Sequence, residues 1–94
     1  MKEDADIKEF LNTLDKLRGR VVNILIKPDF LKRVIDYMDN IGLVKKEVET
    51  ALEFYSGIPV YETEYIDHDY EFLKYHLDIN KKGNKVNVAE VVDI

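Results

Sequence analysis

At 94 residues, with 46% hydrophobic and 35% charged residues of both signs, the chain has room for one domain and falls outside the disordered class. A net charge of −5 argues against direct binding of nucleic-acid backbones, which draws on clustered Lys and Arg, and the absence of cysteine excludes a disulfide framework and a thiolate zinc site. No run nears the ~18 apolar residues of a membrane span, and the start MKEDADIKEF lacks the basic-then-apolar layout of a secretory signal, so a cytoplasmic location without a membrane partner is expected.

Ile7, Phe10, Leu11, Leu14 and Leu17 recur at helical spacing and Gly19 closes the segment, which predicts an amphipathic helix of about four turns. Val21 to Ile26 is an apolar, β-branched run broken only by Asn23 and reads as a strand buried on both faces. Pro28 suits the first turn of a helix, where its missing N–H costs little, and Asp29 favours the same positive end. Leu31, Val34, Ile35, Met38 and Ile41 then form the buried stripe, and Asn40 and Gly42 the stop. A third helix is expected from about Lys45 to Tyr55, burying Val48, Ala51, Leu52 and Tyr55 and ending at Gly57 before Pro59.

Beyond Pro59 the period changes to two. Val60, Glu62, Glu64 and Ile66 alternate with Tyr61, Thr63 and Tyr65, a strand pattern that Pro59 consigns to a sheet edge. Asp67-His68-Asp69 suits a turn. Tyr70 to Ile79 fits both periods, but the turn-forming cluster Asn80 to Asn84, followed by alternating Val86, Val88, Val92 and Ile94, favours a strand and a hairpin. The predicted class is α+β: helix, strand, helix, helix, then a three-stranded antiparallel meander, in one small domain.

The runs VVNILIKPDFLKRVIDYM and YSGIPVYETEYI, within Val21 to Ile66, resemble the later part of tailed-phage major capsid proteins, where an apolar strand passes through a Pro-containing turn into a helix and a small-apolar-Pro-Val segment opens the next strand. Small uncharacterised phage proteins share similar layouts. A shell-forming subunit of that family is several times longer, so the resemblance implies an accessory or virion-associated protein, and it carries over no functional residue.

The most distinctive surface lies between Glu47 and Glu71, which holds eight acidic residues and no Lys or Arg; extended to Tyr75, it includes five of the six tyrosines. Tyrosine offers large contact area at small entropic cost, and surrounding carboxylates steer a basic partner. Tyr61, Glu62, Glu64, Tyr65, Asp67, Asp69, Tyr70 and Glu71 are therefore the expected partner-binding residues, and the expected partner is a basic protein. A homodimer is also expected to be accessible, through the apolar face of the first helix if that face is not packed on the sheet.

Chemistry finds less support. Asp67, His68, Asp69 and His76 are the one cluster of metal-ligating types, but His76 lies about 20 Å from the turn along a strand, or about 12 Å from His68 along a helix, so neither geometry closes a site. There is no Gly-rich phosphate loop or Gly-x-Ser-x-Gly elbow, and Ser56 is the sole serine. A non-catalytic interaction or assembly module is the expected function, with no cofactor and no metal. Two other readings stay open: a small enzyme using carboxylates and histidines of the 62–76 segment, and an acidic inhibitor of a nucleic-acid-binding protein.

Overall fold

The computed structural model describes residues 4–93. Ile94, the last member of the predicted alternation, lies outside them. The elements run α1 (Ala5–Leu17), β1 (Asn23–Ile26), α2 (Pro28–Asn40), α3 (Ala51–Ser56), β2 (Val60–Glu62), β3 (Tyr70–Ile79) and β4 (Lys85–Val91). The α+β class is as expected, and so are β3, in preference to a helix, and its hairpin with β4.

The sheet is not a meander. Its four strands lie in the order β2-β1-β3-β4, with β1 parallel to β2 and antiparallel to β3. β1 is thus inserted between two strands that the period-two pattern places side by side. The cause is topological: α2 and α3 provide the long crossover that returns the chain parallel to β1, and segment 63–69 then passes over the end of β1 so that β3 pairs with its other edge. β2 does occupy a sheet edge, as Pro59 requires.

Several elements are shorter than predicted, β1 among them, which begins at Asn23 instead of Val21. β2 ends at Glu62 instead of Ile66, because the Tyr65 N–H donates to Thr63 Oγ1 at 3.0 Å, a local turn that competes with the ladder. α3 begins at Ala51 instead of Lys45; the preceding residues form single turns, Val48 N–H to Lys45 C=O and Ala51 N–H to Val48 C=O. Val48 and Thr50 are β-branched and weak helix formers, and Val48 is exposed, so no burial offsets that preference.

The helices cover one sheet face. Ile7, Phe10 and Leu14 of α1, Phe30, Val34 and Met38 of α2, and Leu52 of α3 form one core with Ile24, Ile26 and Phe72. Phe30 replaces Ile41 in the predicted stripe: positions 30, 34 and 38 stack on one side of α2, whereas Ile41 caps the helix and is exposed. The centre of the core is aromatic. Phe10 stacks on Phe72 at 5.6 Å and meets Phe30 and Tyr70 edge-on at 5.7 and 4.7 Å. With α1 so committed, its apolar face is not available to pair with a second copy.

Among the described residues, the opposite sheet face carries no helix. By register it presents Tyr61, Leu25, Glu71, Leu73, Tyr75, Leu77, Ile79, Ala89 and Val91. β1 is therefore buried fully on one face only: Leu25 stays partly exposed, while Asn23 is sheltered by Tyr75, whose hydroxyl donates to Asn23 Oδ1 at 3.2 Å.

β1 pairs with β3 only from Tyr70 to Leu73, so the remainder of β3 has β4 as its sole neighbour. That two-stranded stretch forms an arm, and its turn is held by Asn80 Oδ1, which accepts from the Lys82 and Asn84 N–H groups at 2.9 and 3.0 Å. The arm makes the molecule long, 52 × 24 × 23 Å. Its radius of gyration of 15.0 Å exceeds the about 12 Å of a compact chain of this length.

Candidate partner-binding surface

The β2–β3 crossover, residues 63–69, lies at the sheet end opposite the arm, because β3 runs from this crossover toward the arm's turn. Its frame is backbone bonding on both sides. Thr63 N–H donates to Ile26 C=O and Lys27 N–H to Asp69 C=O, both at 2.9 Å, so the two ends of the crossover are tied to the end of β1. Asp67, His68 and Asp69 form successive bends, as their composition predicts.

The structure separates the eight predicted residues into two groups. Tyr61, Glu62, Glu64, Tyr65, Asp67 and Asp69 are exposed, and Tyr65 is 97% so, its ring standing in water. Tyr61 points from the edge strand onto the helix-free face, beside Leu25. Tyr70 and Glu71 are partly buried. Tyr70 packs among Phe10, Phe30 and Phe72, so its ring belongs to the core, and Glu71 sits on the helix-free face opposite Leu25.

Alongside the crossover is an open depression of about 680 Å³ bordered by Asp6, Glu9, Asp67, Asp69, Glu71 and Asp93, with His68 also on its rim. Asp6 and Glu9 come from α1 and Asp93 from beyond β4, so three of the six carboxylates are brought in by tertiary structure and have no mark in the local sequence. Arg33 partly offsets the charge through two 2.9 Å bonds to the Asp6 carboxylate. The Arg33 hydrogen bonds hold the Asp6 carboxyl below its ordinary range, against a smaller opposing effect of burial. Tyr70 shifts upward, chiefly because burial disfavours the phenolate and further because Glu9, Asp69 and Asp6 are negative.

Among the described residues, no group of three or more His, Asp or Glu side chains is gathered closely enough to hold a metal ion. His68 lies in the crossover, whereas His76 lies on the arm with Nδ1 3.4 Å from Glu90. Ser56 is buried, and its hydroxyl accepts from the Ile58 N–H at 3.1 Å, which assigns the sole serine to the helix-to-strand turn. No described helix is long and apolar enough to cross a membrane.

Two surfaces lay outside the predicted set. One is the helix-free sheet face, continued along the arm by Tyr75, Leu77 and Ile79. The other is an apolar groove of about 440 Å³ lined by Leu43, Val44, Val48, Ala51, Phe54 and Tyr55, where Phe54 is 85% exposed. Alternation in β3 was the available signal for the first; an aromatic out of step with the Ala51-Leu52-Tyr55 stripe was the signal for the second. No family model, curated protein or solved structure matches this chain.

Proposed function

We propose that the protein is a non-catalytic interaction or assembly module whose acidic crossover end takes a basic protein surface. The observation that carries this reading is Tyr65, 97% exposed within a tract where Glu62, Glu64, Asp67 and Asp69 also face solvent and no Lys or Arg intervenes. A phenol ring left wholly in water contributes nothing to the fold and is available to anchor a contact, and the carboxylates around it favour a cationic partner. The resemblance of Val21 to Ile66 to a phage capsid pattern is the ground for a phage accessory or virion-associated setting, with the cytoplasm of an infected cell as the place of action.

The test uses a synthetic Lys- and Arg-rich peptide, with binding followed by fluorescence anisotropy at low and high salt. Binding is expected to weaken as salt rises, and to weaken by about tenfold or more in the double variant Tyr61→Ala, Tyr65→Ala, whose circular dichroism should match the parent. Equal binding by parent and double variant, or by a neutral peptide of the same length, would overturn the reading.

A further inference from the structure

We propose that the basic surface this module takes is its own arm: two copies cross their arms face to face, each laying its lysine-bearing turn on the acidic end of the other. The proposal rests on the interaction reading above and names its partner as a second copy of this chain.

The arm is built unlike the body. No residue from 74 to 90 belongs to the hydrophobic core, yet its helix-free face repeats Tyr75, Leu77 and Ile79, the latter two 66% and 67% exposed. A two-stranded ribbon with one apolar face buries nothing by itself, and isolated hairpins are marginal in water. Its charge is also opposite to that of the crossover end. Residues 74 to 90 carry four lysines against two acids, whereas Glu47 to Glu71 carry eight acids and no cation.

The register makes these features self-complementary. A two-fold axis at Tyr75, lying in the interface parallel to the sheet and perpendicular to β3, sets position 71 of one β3 opposite 79 of the other. Ile79 is level with Lys85, so about 13 Å from the axis Lys85 of one copy meets Glu71 of the other, both on the helix-free face. Nearer the axis Leu77 lies over Leu73, and Tyr75 over its own copy. The Lys85–Glu71 pair occurs twice, the apolar strip is covered along its length, and the interface closes on itself. The strip is only about 10 Å wide and about 25 Å long, which places the dimer at the weak end of specific interfaces, with dissociation in roughly the micromolar range.

Sedimentation of the full chain over a concentration series tests this. The mass is expected to rise from 11.1 kDa toward twice that value with concentration. Leu77→Thr with Ile79→Thr, which keeps one β-branched residue and introduces another at exposed strand positions, should hold the chain at the monomer mass. Lys85→Glu and Glu71→Lys should each weaken association roughly two- to thirty-fold, and the two together should restore it, because both symmetry-related pairs are re-formed with charges exchanged. A monomer at the highest attainable concentration would overturn the proposal, as would a dimer indifferent to the Thr substitutions, the mark of edge-to-edge strand pairing, or a charge exchange that fails to restore. A monomer that still binds the basic peptide through Tyr61 and Tyr65 defeats self-pairing alone. A dimer whose peptide binding ignores those tyrosines defeats the interaction reading instead.

Discussion

The body and the arm are made from the same sheet, and they differ in what holds them. In the body, β1 and β3 press Ile24, Ile26 and Phe72 against three helices, with Phe10 at the centre of an aromatic cluster. In the arm, the same β3 continues for six residues with one neighbouring strand, one partly exposed ion pair from Glu90 to Lys74, a 3.4 Å contact of His76 Nδ1 with the same carboxylate, and no core residue. Exposed pairs of this kind contribute about 0–1 kcal/mol, so the arm depends on its turn and its ladder, whereas the body depends on burial. A strand's sequence pattern therefore does not reveal its stability; the length of its neighbour does.

The sharpest way to break this comparison is to truncate one apolar residue in each region. Phe10→Ala removes a ring with no solvent exposure and contacts to Phe30, Tyr70 and Phe72, and should cost about 3–5 kcal/mol. Since a domain of this length has about 5–14 kcal/mol in total, much of its stability goes with that ring. Leu77→Ala, at a comparably apolar site on the arm, should change monomer stability by no more than about 0.5 kcal/mol. Urea unfolding of both variants at low concentration reads the difference. Equal losses would mean the arm is packed into the body and the two regions are one.

The same contrast shows what could be read from the residues. The periods of α1 and α2 were legible because each buries a stripe: Ile7, Phe10 and Leu14, then Val34 and Met38. β3 fitted both periods, and the neighbouring turn decided for a strand, since the alternating Tyr75, Leu77 and Ile79 lie on the exposed face. The turn at Asn80 to Asn84 was legible because its geometry is local. Strand order was not, since β2 and β3 satisfy a period of two equally well beside each other or on opposite edges of β1, and only the closing of the α2–α3 crossover decides. The exposed part of the proposed binding surface, Tyr61 to Asp69, was legible as composition. Its other wall was not, because Asp6, Glu9 and Asp93 reach it through the fold. The projection of the arm had a signal in the lengths alone: a four-residue β1 cannot cover a ten-residue β3.

A smaller effect isolates the turn. Gly83 holds φ +81°, and nothing lies within 4 Å of where a Cβ would sit, so Gly83→Ala introduces backbone strain without a steric clash, about 1 kcal/mol. That cost falls on the arm. Amide exchange measured by mass spectrometry on the dilute protein should quicken in peptides covering 74–90 and stay unchanged across α1 and α2. Quickening throughout would join arm and body into one cooperative unit. At high concentration, where crossed arms would protect one another, the parent's arm amides should slow while those of α1 do not.

The smallest expected effect is an alkaline one, and it probes where the aromatic core meets the carboxylates. Tyr70 is pushed above its ordinary value of 10.0 by burial first and by Glu9, Asp69 and Asp6 after. The unfolded chain therefore releases this proton at lower pH than the folded chain does. Its contribution is complete below about pH 10 and is lost as pH rises through the raised folded value. In a titration of phenolate absorbance, Tyr70 should contribute a late component alongside the loss of native ellipticity. Tyr70→Phe should remove that late component. If the late component survives that change, the ring at position 70 is open to water, and the border drawn between core and proposed binding surface belongs on its other side.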